Sequence, residues 1–159
     1  MTQPNILVTL LLLGGVSLIV SSFFIEYVLE VKPCQMCWWQ RYIHWGITAI
    51  ALLGFISKKY IITLWVIVIG SLSGFVVATW HTLVQQKIIA APGCGSTGDI
   101  MPLNPNDLLA TLNAGSFTLP SCDKIDFTIF GFTIANWNVV VMLSFMLVAS
   151  FSIWYNSHK

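Results

Sequence analysis

Residues 42–80 read YIHWGITAIALLGFISKKYIITLWVIVIGSLSGFVVATW, and the only formal charges in that stretch are Lys58 and Lys59, side by side. A helix crosses the hydrocarbon core of a bilayer in about 20 apolar residues. Tyr60 to Trp80 meets that length without a charge and stops before His81. The run before the lysines, residues 41–57, covers about 17 residues, or about 25 Å, just short of a bilayer core. Its helix is therefore expected to start earlier, near Cys34. The two lysines form nearly the whole turn of a helical hairpin.

Two further uncharged runs flank this hairpin. Ile6 to Phe24 is closed by Glu26, and Ile134 to Tyr155 has Trp137 near one end and Trp154 with Tyr155 at the other, where amphipathic rings suit the headgroup level. No Lys or Arg precedes the first run and Val20 to Phe24 offers no small-x-small cleavage site, so it is expected to remain as an anchor. Composition agrees: of 159 residues, 57% are hydrophobic and 8% charged, against roughly 25% charged in soluble domains. A net charge of +1 excludes a nucleic-acid binder, which needs a basic excess to neutralise phosphates.

The expectation is an all-α membrane protein, a four-transmembrane-helix bundle forming a single integral membrane domain over residues 1–159. Its spans are about 6–24, 41–57, 60–80 and 134–155, with two extracytoplasmic loops of about 25–40 and 81–133. The second loop carries a short amphipathic interfacial helix at Asn106 to Asn113, with Leu108, Leu109 and Leu112 on one side. Lys58 and Lys59 in a minimal turn are a denser retention signal than Lys32, Arg41, Lys87 and Lys124 spread over two longer segments, which puts both termini in the cytoplasm and all acids outside. Gly70 with Gly74, Ser17 with Ser21, and Gly46 with Gly54 offer small residues for close helix packing.

All four cysteines, Cys34, Cys37, Cys94 and Cys122, fall in the two outside segments. An even number on that side indicates an oxidising compartment. Two stabilising bridges are one reading. Against it, a Cys34–Cys37 bridge closes too small a loop to constrain an unfolded chain, whereas C-x-x-C pairs are common redox centres. A zinc site of all four is disfavoured because only one close pair is present, and no metal is expected. Pro33 suits a helix entrance, so the pair should sit in the first turn of the second span, where the macrodipole favours a thiolate.

Arg41 follows Cys37 by four residues and Cys34 by seven, which puts it on the same helical face, as an interfacial anchor or as a holder of an anion or carbonyl beside Cys37. His44 or Trp45 and Thr48 continue a polar stripe. His81, flanked by Trp80 and Thr82, is expected at the same depth as Cys37 and Arg41. Pro92-Gly93-Cys94-Gly95 is a turn that exposes Cys94, while Cys122 precedes Phe127, Ile129 and Phe130 on the way back to the bilayer.

This arrangement resembles the DsbB family of bacterial disulfide-forming membrane oxidases. The resemblance covers nearly the whole chain: four spans, Pro-Cys-x-x-Cys heading the second, the aromatic-rich Trp38 to Arg41, Trp80-His81-Thr82, and Cys122 to Phe132 with Phe127 and Gly131. Gln40 departs from members with an acid before the Arg, with little effect expected on mechanism. The resemblance implies a protein-disulfide:quinone oxidoreductase of the bacterial inner membrane, with its cysteine loops in the periplasm and two redox-active disulfides, Cys34–Cys37 and Cys94–Cys122. A periplasmic DsbA-like thioredoxin-fold protein would attack Cys94; Cys122 would then attack Cys34 and free Cys37 beside ubiquinone or menaquinone. Arg41, His81 and Cys37 would form the quinone site.

Two competing readings predict other outcomes. A vitamin K epoxide reductase-like quinone reductase usually carries its C-x-x-C on a late span, and the fourth span here has no cysteine. A non-enzymatic membrane subunit stapled by two bridges would keep its cysteines paired and inert.

Overall fold

The run of residues 6–24 lies within a longer helix, α1, Gln3–Tyr27, in a computed structural model of the chain that describes residues 3–89, 122, 125 and 127–158. Helix α2 covers Gln35–Ser57, α3 Tyr60–Gln85 and α4 Ile134–Ser157. Before α4 a small antiparallel hairpin pairs β1, Thr128–Ile129, with β2, Phe132–Thr133. The described residues are thus almost entirely helical. The expected interfacial helix at Asn106 to Asn113 lies outside them.

Among the described residues three helices are long and apolar enough to cross a membrane: α1 over Ile6–Tyr27, α3 and α4. Helix α2 matches them in length, with 23 residues, but its opening turns carry Gln35, Gln40, Arg41 and His44. The early start expected for α2 is observed. At the other end of the hairpin, α3 continues five residues beyond Trp80 to Gln85, so His81 is a helical residue one turn inside the end and not the first residue of a loop.

Helix α3 packs against both α2 and α4, and α1 against α2. Each helix contributes to one core: Val8 and Leu11, Ile47 and Ala51, Leu64 and Ile67, Met142 and Ala149. The outward faces are as apolar as the core, with Leu13, Ile62, Ile69 and Leu147 all exposed. Such a surface fits lipid as the solvent, and close contact between helices then depends on shape. A Cβ on Gly74 would stand 2.6 Å from Met142 Sδ, and one on Gly70 3.0 Å from Ile47 Cγ1. Gly54 abuts Thr63 in the same way.

The other small pairs behave differently from expectation. A Cβ on Gly46 meets nothing, and Ser17 and Ser21 are exposed. The small residues of α1 that admit neighbours are Gly14, against Phe145, and Gly15, against Thr48. Spacing alone does not say which side of a helix faces its partner.

Two connections fix the frame. Lys58, with φ of 58°, and Lys59 are all that separates α2 from α3. Phe130 and Gly131, with φ of 53° and 80°, make the turn between β1 and β2, the pair of positive values that a two-residue hairpin of matching twist requires. Thr133 caps α4, its Oγ1 accepting from Asn136 N, and Trp137 Nε1 donates to Ile129 O at 3.0 Å. These bonds tie the hairpin to the head of α4.

Candidate functional site

Cys34 is the N-cap of α2, extended at φ −75° and ψ 172°, and its side chain caps nothing. Its carbonyl accepts from Trp38 N at 3.2 Å, opening the helical ladder. The sulfur therefore lies where the first N–H groups of a helix are unpaired and negative charge is favoured. Cys37, one turn on, brings its Sγ to 3.3 Å from that of Cys34; both are free thiols sharing one thiol–sulfur hydrogen bond. The expected Cys34–Cys37 disulfide is not formed in this structure, where the pair is a dithiol.

His81 reaches this pair from α3. Its Nε2 lies 3.6 Å from Cys34 Sγ, and its Nδ1 lies 3.3 Å from Nε2 of Gln40. With Gln40 donating to Nδ1, the imidazole proton belongs on Nε2 and points at sulfur. The hydrogen bond from Cys37 draws the Cys34 thiol well below its ordinary value; burial opposes this and His81 assists. Cys37 is pushed the other way by giving that bond, by burial and by the charge on Cys34, with Arg41 opposing. In the reduced pair Cys34 is the thiolate and Cys37 keeps the proton.

Arg41 is also at the pair's side of α2, but its strongest partners are on α1. One guanidinium nitrogen is ion-paired to Glu26 Oε2 and the other donates to Ser22 O at 3.0 Å. Its Cζ stands 5.4 Å from the ring centroid of Phe23 and 5.1 Å from that of Trp38. Glu26, read in the sequence only as the end of the first span, is thus what makes a buried guanidinium tolerable there.

A cavity of about 280 Å³ opens between these helices and the β-hairpin. Leu18, Ile25, Phe127, Ile129 and Val141 give it apolar walls, while Cys34, Cys37, Arg41, His44 and His81 supply its polar features. His44 Nε2 lies 2.8 Å from Asn138 Oδ1 on α4, and Thr48 donates to His44 O at 2.8 Å. The predicted polar stripe is present, although Trp45 stacks on Phe23 and is not part of it.

Of the site residues expected from the sequence, Cys34, Cys37, Arg41 and His81 line one cavity. Cys122 is fully buried, clusters with Cys34, Met36 and Val84, and is disulfide-bonded. Cys94 lies outside the described residues. Gln40, Glu26 and Asn138 were missed. No sequence signal marks Asn138, but a carboxylate near a lone intramembrane arginine is a reasonable thing to look for.

The family model described as "Disulfide bond formation protein DsbB" matches residues 4–152. Among curated relatives, Disulfide bond formation protein B of Shewanella sp. (strain MR-4) is 29% identical over 139 residues, covering 84% of this chain and 78% of that protein. The protein of that name from Shewanella loihica is 27% identical over 150 residues, 91% of this chain and 86% of the relative. The one from Polaromonas naphthalenivorans is 31% identical over 146 residues, 86% and 83% of the two chains. With a reduced C-x-x-C pair at the head of a helix, and with a family match over nearly its whole length, this chain belongs to the DsbB family of membrane disulfide-bond formation proteins.

Proposed function

We propose that this chain is a protein-disulfide:quinone oxidoreductase that reoxidises a periplasmic DsbA-like thioredoxin-fold protein and passes the electrons to a membrane quinone. The observation that carries the reading is the cavity itself: a dithiol, an imidazole and a guanidinium on one side, apolar walls on the other. At about 280 Å³ it is near the lower bound of small-ligand sites. That size suits a quinone headgroup, the one-ring benzoquinone of ubiquinone type or the two-ring naphthoquinone of menaquinone type, whose tail remains in lipid.

The quinone, when bound, is the two-electron acceptor and leaves as quinol. The chain's own groups supply the rest. The DsbA-like donor attacks Cys94 of a Cys94–Cys122 disulfide, and Cys122 then attacks Cys34, breaking Cys34–Cys37 and releasing Cys37 in the cavity. The released Cys37 sulfur carries the electron pair toward the acceptor. Arg41 would offer hydrogen-bond donors to an oxygen of the bound acceptor, and His81 Nε2–H holds the Cys34 sulfur and lines the same cavity. The donor's second thiol then displaces Cys94, Cys94 takes Cys122 back from Cys34, and Cys34 closes again on Cys37, so that the donor dithiol loses the two electrons and two protons that the quinone would gain.

In this reading residues 41–57 of α2 are the second of four spans, and residues 1–159 form one integral domain of the bacterial inner membrane. Both termini are cytoplasmic and the cysteine segments periplasmic, the arrangement that lets a periplasmic thiolate reach Cys94 while quinone enters from lipid.

Purified protein mixed with ubiquinone or menaquinone and a reduced thioredoxin-fold donor should consume quinone absorbance in step with donor oxidation. Cys37→Ser should abolish both. Unchanged turnover in that variant overturns the assignment of the quinone-facing thiol.

A further inference from the structure

Cys34 Sγ, Cys37 Sγ and a ring nitrogen of His81 all lie within 4.8 Å of one another. Two of the separations are 3.3 Å between the sulfurs and 3.6 Å from Cys34 Sγ to His81 Nε2. Tetrahedral zinc, with bonds of about 2.3 Å to sulfur and about 2.0–2.1 Å to nitrogen, sets ligand separations of roughly 3.8 Å for S···S and roughly 3.6 Å for S···N. The Cys34 Sγ to His81 separation already meets its value, the sulfurs need to part by about half an ångström, and the Cys37 Sγ to His81 separation lies within 4.8 Å. We propose that the reduced Cys34–Cys37 dithiol and His81 form a site for a zinc-type divalent cation, which holds the pair in its dithiol state.

Charge favours this. Two thiolates and a neutral imidazole around a dication make a neutral unit, which costs far less to bury than the bare thiolates. Arg41, which lines the same cavity, is already paired with Glu26, so it adds no unbalanced positive charge. Gln40 stands behind the ring at Nδ1. Turned so that Oε1 accepts from Nδ1–H, its amide leaves the Nε2 lone pair for the metal, the usual second partner of a ligating histidine. All three ligands line the cavity, which leaves the fourth position open to water.

The binding step transfers no electrons. The Cys37 thiol loses its one proton to solvent, the Cys34 thiolate has none to lose, two sulfur–metal bonds form, and the sulfurs stay reduced. Because the lone pairs that would attack a disulfide or reduce an acceptor are held by the cation, the occupied pair is withdrawn from exchange.

The test uses the full chain in detergent with Cys94→Ser and Cys122→Ser, reduced and anaerobic, so that only this dithiol remains. Titration with cobalt(II) should give near-ultraviolet thiolate charge-transfer and visible tetrahedral bands that saturate at one ion per chain, with one proton released. Zinc should displace the cobalt, because d¹⁰ zinc gives up no ligand-field stabilisation in a tetrahedral thiolate site. The same protein oxidised to the Cys34–Cys37 disulfide should give no bands, a control that needs no further variant. His81→Ala should weaken cobalt binding by at least about tenfold, since even second-shell losses cost that much. Absence of charge-transfer bands in the reduced chain overturns the proposal, as does equal affinity in His81→Ala. Neither result depends on quinone turnover, so failure here leaves the oxidoreductase reading to its own test.

Discussion

Arg41 on α2 and Glu26 on α1 form an ion pair beside the cavity, and the guanidinium is held between the rings of Phe23 and Trp38. The pair presents hydrogen-bond donors to the cavity at little net charge. It also joins α1 to the helix that carries the cysteines.

Arg41→Ala should therefore raise the apparent KM for quinone by tenfold or more while the KM for the donor protein changes less. Equal effects on the two would make Arg41 an anchor only. Glu26→Gln leaves a buried guanidinium without its counter-ion and should lower stability by about 1–3 kcal/mol, read as a reduced thermal midpoint in detergent. A midpoint unchanged from that of the unsubstituted protein would mean that the pair is solvated.

The opposite shifts of the two thiols predict a bell-shaped pH dependence for the reduced protein. The ordinary thiol value is 9.0. Below it the unfolded chain binds a proton at Cys34 that the folded chain has lost, so stability rises with pH up to about 9 and is lost as pH falls through the folded value of Cys34. Above 9 the unfolded chain loses the Cys37 proton that the folded chain keeps, and stability falls again. Each limb approaches about 1.4 kcal/mol per pH unit. Denaturation midpoints of the Cys94→Ser, Cys122→Ser protein, reduced minus oxidised, would isolate this behaviour, and a flat difference would refute the assignment of the proton to Cys37.

Gln40 offers a sharper probe of the same proton. Gln40→Ala removes the donor at His81 Nδ1 and should move alkylation of Cys34 by iodoacetamide to higher pH. Gln40→Glu, whose carboxylate favours a doubly protonated ring, should move it lower. Shifts of the same sign in both variants would show that Gln40 acts by packing alone.

Helix contacts give a prediction independent of chemistry. Gly46→Ala, which meets no atom, should stabilise α2 by up to about 1 kcal/mol. Gly54→Ala would press on the stiff Thr63, whose Cβ is 2.6 Å from the added methyl, and should cost about 1–3 kcal/mol. Similar thermal midpoints for the two would contradict the packing.

Three apolar helices of membrane-spanning length and the C-x-x-C at the head of α2 were legible because lipid leaves a one-dimensional trace: charge is excluded from long runs and reappears where a helix ends or chemistry begins. Partners were much less legible. Cys34 and His81 are 47 positions apart, and no period in the chain links them. Gln40 looked like a neutral departure from a family pattern until its distance to His81 gave it a job. Arg41 was expected to serve Cys37, yet the residue that holds it is Glu26, because a charge in an apolar medium takes the nearest compensating charge first. Gly46 and Ser17 had suitable spacing on the wrong faces, which only packing reveals.

The Lys58–Lys59 turn has a mechanical consequence for the site. Cys34 and His81 stand on the free ends of the two helices that this turn joins, so the hairpin works as a pair of callipers with its pivot at the far side of the bundle. From Ser57 to Cys34 the arm is about 34 Å long, and a splay of about one degree at the pivot displaces the tip by about 0.6 Å. The gap between Cys34 sulfur and the imidazole is therefore gauged by contacts near the pivot, such as Gly54 against Thr63, far from either reactive atom.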